Sequence, residues 1–189
     1  MGRRVMTLDR QAFAEVCIRL ERLIRGSGFA PDAVLSVATG GIYVGELLFR
    51  GVPHFETRLQ RPSTRFKTPR LKGLVRRLPQ PVLDAMRVAE AGVLDLLPTR
   101  PVDISRVTVP AGVTGSGRIL VVDDAVDSGA TLDGVLRALR AAAPKADIRS
   151  AAVTVTTAHP LARPDYAVFN NFTLIRFPWS MDTADSPRQ

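Results

Sequence analysis

Residues 7 to 25 place apolar side chains at Phe13, Val16, Cys17, Leu20, Leu23 and Ile24, the three-and-four spacing of a helix that buries one face. Gly26 and Gly28 end that pattern. "AVLSVATGG" then reads as a buried strand entering a glycine turn, "IYVGELLFR" as a helix and "VPHFETRLQ" as a second strand. From Arg61 the chain turns basic and turn-rich in "RPSTRFKTPRLKGLVRR", before "PVLDAMRVAEAGVLDLL" restores a helical period with Val82, Leu83, Met86, Val88, Ala89, Val93 and Leu96 on its apolar face. Pro98 and Pro101 close this stretch. Beyond it, "DISRVTVP" and "GRILVVDD" read as strands separated by "AGVTGSG", "ATLDGVLRALRAAA" as a helix and "DIRSAAVTVTT" as a further buried strand. The tail "PDYAVFNNFTLIRFPWS" carries two short β-like runs around Asn170 and Asn171 and reads as a flap. Strands alternate with helices, so the expected fold class is α/β with a parallel, doubly wound sheet.

Composition narrows this picture. A chain of 189 residues with 46% hydrophobic content can bury a full core, and the length favours a single domain over residues 1–189. One cysteine, Cys17, excludes an internal disulfide framework or a cysteine-based zinc site, and its place on the apolar stripe makes it a packing residue. Together with the lack of any apolar run long enough to span a membrane, this points to a cytoplasmic protein. The net charge of +8 admits nucleic acid, acidic lipid or a phosphorylated small molecule as partner.

The most chemical stretch is "ILVVDDAVDSGAT", residues 119 to 131. In an open α/β sheet, ligands sit outside the carboxyl ends of the strands, which is where Asp123 and Asp124 leave "ILVV". Consecutive carboxylates there can accept hydrogen bonds from a vicinal diol or hold a hydrated magnesium ion. "DSGAT" opens a helix whose free N–H groups attract phosphate: Gly129 lets the backbone close on the anion, and the Ser128 and Thr131 hydroxyls can donate to it. Asp127 or Ser128 can also cap that helix. Other phosphate motifs do not fit. A Walker loop needs a lysine after its glycines, and "AGVTGSG" precedes a strand where a dinucleotide fingerprint would follow one. A receiver domain would need more chain after Asp123 than is present.

At these residues the sequence resembles the type I phosphoribosyltransferases, whose signature for 5-phosphoribosyl-1-pyrophosphate (PRPP) joins a hydrophobic strand, two acids, a short gap, Ser or Thr and a small loop ending in Thr. "SVATGGIYVGELLFR" is similar to the family's strand, pyrophosphate loop and helix, with Thr39, Gly40 and Gly41 as the loop. "PDYAVFNNFTLIRFPW" is similar to the hood of the bacterial xanthine and hypoxanthine-guanine (6-oxopurine) branch, placing a hood at about residues 160–182. The resemblance implies a magnesium-dependent enzyme of nucleotide metabolism, such as purine salvage, and a homo-oligomer, dimer or tetramer. It implies that Asp123 and Asp124 grip the ribose hydroxyls and magnesium-bound water, and that Asp127, Ser128, Gly129, Ala130 and Thr131 bind the 5′-phosphate. It further implies that Asp127 is the general base toward a ring nitrogen of a purine-like or other heterocyclic base. In the hood, Leu174 falls at the position of the base stacker and Ser180 at that of an acidic partner, with Ile175 offering backbone groups. The lysine that would read a 6-oxo group is missing near residues 157 to 159.

Residues 61–101 have no counterpart in that resemblance. They stand where such enzymes carry a mobile loop, and their helix must bury its apolar face, so the expectation is a lid or subunit contact beside the site. A different class of function, a PRPP-sensing regulator binding RNA through basic residues 58–77, is disfavoured because Phe66 is the one aromatic among those cations. His54 and His159 lack metal-ligand spacing and read as solvent or second-strand residues. Trp179 reads as a core plug, and Tyr43, beside the glycines, fits either packing or ligand.

Overall fold

The structure, a computed structural model, describes residues 4–59, 82, 85, 88, 89, 92, 99–170 and 173–180. Among the described residues, five parallel strands form the central sheet in the order β3-β2-β4-β5-β6. These are β2 (Ala33–Val37), β3 (His54–Thr57), β4 (Arg118–Val126), β5 (Asp147–Val155) and β6 (Tyr166–Phe169). A separate two-stranded parallel pair joins β1 (Arg4–Thr7) to β7 (Thr173–Arg176). Helices whose bounds lie within the described residues are α1 (Arg10–Gly26), α2 (Gly40–Gly45) and α3 (Ala130–Ala142). Asp9 caps α1, its Oδ1 accepting from Ala12 N at 2.8 Å.

The two faces of β4 explain why "ILVV" is continuously apolar. Leu120 and Val122 pack with Phe13, Val16, Leu20 and Ile24 of α1, whereas Ile119 and Val121 pack with Leu132, Val135 and Leu139 of α3. A strand covered on both sides cannot alternate polar with apolar. Cys17 lies inside the first of these cores, where burial pushes its thiol up to about 12. It is a packing residue, as its place on the helical stripe implies.

Several elements differ from the sequence reading. Arg4–Thr7, which carries no apolar run, is a strand because β7 offers it a backbone ladder from Arg4–Thr173 to Thr7–Arg176. "DISRVTVP" is not a sheet strand. It forms a 3-10 turn at Ile104–Arg106, with Asp103 accepting from Ser105 N at 3.0 Å, and then a single antiparallel bridge from Val107 to Leu59. The helix expected over residues 42 to 50 begins earlier, at Gly40, and ends at Gly45, where turns carry the chain on to Phe49 with φ 48°. The tail also divides: β6 joins the central sheet beside β5, and only β7 leaves it to pair with β1. Val82, Ala85, Val88, Ala89 and Gly92 have helical backbone, as the period of that segment predicts. The basic stretch from 60 to 77 and the rest of the 61–101 insertion up to residue 98 fall outside the described residues, so the lid and RNA expectations do as well. No helix among the described residues is long and apolar enough to cross a membrane.

Candidate functional site

Strand order locates a crevice before any side chain is considered. From β2 the chain moves to β3 on one side, crosses back to β4 on the other and continues outward through β5 and β6. The order therefore reverses between β2 and β4, and the ends of those two strands diverge. At that point lie Thr39, Gly40 and Gly41 from one strand and Asp123 and Asp124 from the other. The sequence placed both groups at strand ends, and the topology brings them together.

Register sharpens the contact. The ladder of β4 with β2 ends at the Ser36–Val122 pair, but its ladder with β5 continues to Val126–Val155. Asp123 and Asp124 thus extend beyond β2, and the glycine turn folds onto them. A Cβ on Gly41 would lie 2.6 Å from the Val122 carbonyl oxygen and 3.0 Å from Asp123 Cα, and one on Gly40 would overlap the Asp124 carboxyl. At Gly41 the neighbour is backbone that cannot give way, and at Gly40 a side chain would have to displace the Asp124 carboxyl, which accounts for two consecutive glycines in the turn. Ala38 N donates to Thr57 O at 2.9 Å and anchors the turn to β3. Thr39 is exposed.

The paired acids sit in an unfavourable field. Asp123 is 8% exposed and Asp124 is half-buried. Burial, then the adjacent Asp124 charge, push Asp123 well above the usual carboxylate range, and burial raises Asp124 too. Their polar contacts are local: Asp123 Oδ1 accepts from Asp124 N at 2.9 Å and Asp124 Oδ1 from Ala125 N at 3.0 Å. Among the described residues no group of three or more His, Cys, Asp or Glu is placed to hold a metal. A pair of close, buried carboxyls nevertheless suits magnesium, which takes one or two carboxylates and completes its shell with water and substrate oxygens.

The turn after β4 supplies the third component. Gly129, at φ 74°, is the N-cap of α3 in the left-handed region, and α3 begins without a side-chain cap hydrogen bond. Ser128 Oγ accepts only a long bond, 3.4 Å, from Ala130 N. Asp127 does not cap the helix either. Its Oδ1 instead accepts from Thr156 Oγ1 at 2.6 Å, leaving the rest of an exposed carboxylate facing solvent. Thr131 is half-buried in the first turn of α3. Thr156 was not legible as a partner because the contact spans two strand ends that only the sheet brings together.

The hood residues behave differently. Leu174 and Ile175 are buried, 8% and 6% exposed, on a strand clamped between β1 and the Thr154 hydroxyl, which donates to Thr173 O at 2.6 Å. Ser180 Oγ accepts from Phe177 N at 3.1 Å, and Ser180 N donates back to Phe177 O at 2.9 Å, closing a turn. The aromatic surface comes from Trp179, which stacks on Phe177 at 4.8 Å and on Tyr43 at 4.4 Å and meets Phe13 edge-on at 4.9 Å. Trp179 is the core plug the sequence suggests, and Tyr43 is its outer cover, 40% exposed. His54 is exposed on the edge strand β3, its Nε2 2.5 Å from Ser36 Oγ, and His159 is exposed as well.

The fold and crevice thus define an open α/β protein whose acids and glycine turn meet at a topological switch point. The chain belongs to the phosphoribosyl transferase domain family, whose model matches residues 6–186. Its fold is that of a purine phosphoribosyltransferase from Pyrococcus horikoshii Ot3 (20% identity, TM-score 0.58, 93% of this chain and 94% of that one). It is also that of a Helicobacter pylori xanthine-guanine-hypoxanthine phosphoribosyltransferase (18%, TM-score 0.58, 94% and 95%). A hypothetical protein from Neisseria gonorrhoeae with bound ppGpp is similar as well (17%, TM-score 0.61, 98% and 93%). No curated protein matches the sequence significantly.

Proposed function

We propose that the protein transfers the 5-phosphoribosyl group from PRPP to a ring nitrogen of a purine-like or other heterocyclic base, releasing pyrophosphate. The observation that carries this reading is the contact of the Gly40–Gly41 turn with Asp123 and Asp124, one turn of chain away from the Asp127–Thr131 loop. A ligand there meets backbone N–H groups on two sides and carboxylates between them, which suits a sugar with phosphates at both ends and a diol in the middle.

In this reading the residues 127–131 hold the 5′-phosphate, and the backbone of Thr39, Gly40 and Gly41 holds the pyrophosphate. Asp123 and Asp124 accept from the ribose hydroxyls and are the residues that would hold magnesium. The cation, when bound, offsets the charge of the leaving group and of the two acids. As the bond from C1 to pyrophosphate breaks, the bond from C1 to the ring nitrogen forms, and the proton of that nitrogen passes to the free oxygen of Asp127. Leu174, Ile175 and Ser180 border the base from the hood through the backbone more than through side chains, since the first two are buried. That lining differs from one built to read a 6-oxopurine, so guanine, xanthine and hypoxanthine are expected to bind weakly.

The test is pyrophosphate release from PRPP by the purified protein, with magnesium chloride or with chelator, against a panel of purines and other heterocycles. Release that needs both magnesium and one base, matched by equal nucleotide formed, supports the reading. PRPP binding without release across the whole panel overturns it.

A further inference from the structure

The chain leaving β5 grips the Asp127 turn at successive residues. Thr156 N donates to Val126 O at 3.0 Å, Thr156 Oγ1 to Asp127 Oδ1 at 2.6 Å and Leu161 N to Ser128 O at 2.8 Å. Gly129 completes the series, since a Cβ there would lie 2.7 Å from the backbone N and O of Ala162. One of these contacts is chemical as well as structural. Thr156 is 5% exposed, so its hydroxyl has little access to water, whereas Asp127 is exposed. A threonine hydroxyl has one proton to donate. Given to Oδ1, it holds the Asp127 side chain in one rotamer about Cα–Cβ and leaves Oδ2 to face an incoming ring N–H.

We propose that Thr156 is the positioning residue for Asp127, fixing which carboxylate oxygen receives the proton of the acceptor base. The inference rests on the transfer reading above for its consequence, but its geometry is independent of turnover. Thr156→Val keeps the shape of the side chain and removes the donor. Because Asp127 is exposed, water can satisfy the freed Oδ1, so the variant folds while the Asp127 side chain samples other rotamers about Cα–Cβ. Thr156→Ser keeps the donor and loses a methyl group.

Two measurements on the parent and both variants decide the matter. The first is the single-turnover rate with saturating PRPP, magnesium and guanine, hypoxanthine, xanthine or adenine. Thr156→Val should lower it roughly tenfold to a hundredfold, with PRPP affinity changed by no more than about twofold, because the loss is one of alignment and not of binding. Thr156→Ser should recover most of the rate. The second is the three-bond side-chain coupling of Asp127 by NMR, which should report one rotamer in the parent and in Thr156→Ser and an average in Thr156→Val. An unchanged coupling in Thr156→Val overturns the proposal, as does failure of serine to restore it. A parent that releases no pyrophosphate with any base counts against the transfer reading alone, and the couplings then decide Thr156.

Discussion

Two regions of the molecule, the β2–β4 switch point and the C-terminal segment from β7 to Ser180, are built on opposite principles. At the switch point, polar groups are held close without being neutralised: two adjacent carboxyls are buried together, pressed by glycines that leave no room for a shielding side chain. At the hood, polar groups are satisfied internally. Ser180 closes a turn on Phe177, Thr154 donates to Thr173 O, and Trp179 is stacked between Phe177 and Tyr43. The first arrangement disfavours the charged form of both carboxyls, and the second meets its polar groups within the protein. Strain of this kind marks a site that binds charge, whereas a satisfied network marks support.

The comparison breaks most sharply at the acids. Asp123→Asn with Asp124→Asn should lower turnover at least about a thousandfold, about 4 kcal/mol of transition-state binding, since in the proposed reaction these are the two charged groups that would face the ribose and the cation. It should leave the unliganded protein no less stable. The pH dependence gives the sign. Both carboxyls lie above their ordinary value of 3.8 in the folded chain, so the folded state binds protons more tightly than the unfolded state does. Their contribution is fully present below about pH 4 and is lost as pH rises through the folded value of the pair. The melting temperature of the parent should therefore fall across that range, magnesium chloride should restore it at the upper end, and the double variant should show neither effect. A parent melting curve indifferent to both pH and magnesium would remove the contrast between the two regions.

Trp179→Ala tests the hood as support. It deletes the ring shared by Phe13, Tyr43 and Phe177, and for a partly buried tryptophan about 3 kcal/mol of stability should go, read by chemical denaturation. PRPP affinity measured below the new melting point should stay within about threefold of the parent. A large loss of PRPP affinity with little loss of stability would make Trp179 a ligand contact instead.

Gly41→Ala probes the seam itself. The added methyl meets the Val122 carbonyl oxygen at 2.6 Å, a backbone atom with no side-chain flexibility to give way. A cost of about 2 kcal/mol is expected, together with weakened PRPP binding, because the turn can relieve the clash only by moving off the acids. Destabilisation with unchanged PRPP affinity would show that the turn and the acids act separately.

How much of this was legible beforehand follows the same division. The α/β class, the long amphipathic α1, the buried β4 and the clustering of Asp123, Asp124 and the 127–131 turn rest on local period and on strand-end chemistry, both written in short stretches of sequence. The strand Arg4–Thr7 was not legible, because its reason for being a strand is β7, nearly the whole chain away. The non-strand character of "DISRVTVP" was hidden in the same way: a β-like composition does not set how much of a segment pairs, and among the described residues this one meets β3's continuation at the bridge from Leu59 to Val107. Thr156 shows the limit most clearly. Nothing in "TVTT" distinguishes the threonine that reaches Asp127 from its neighbours until parallel register sets Val126 beside Val155.

The smallest effect belongs to Ser180, and it separates the two regions most finely. The sequence alignment set it where a base-reading acid would stand, whereas its Oγ accepts the Phe177 N–H at 3.1 Å. If closing that turn is its role, Ser180→Ala removes the acceptor of the Phe177 N–H and lowers stability by about 1 kcal/mol. The affinity for the base that the enzyme uses, measured with saturating PRPP, then stays the same, because the hydroxyl was never turned to the ligand. If Ser180 instead reads the base, the two results exchange: the melting temperature holds and base affinity falls by about tenfold, as expected for one lost hydrogen bond to a substrate. Ser180→Asp extends the same logic. A carboxylate keeps an acceptor for Phe177 N and has a second oxygen to offer, so stability should hold while affinity for guanine, with its exocyclic amine, rises. A rise in Ser180→Asp together with no change in Ser180→Ala would mean that the hood occupies the right place for base recognition and has spent this position on its own turn.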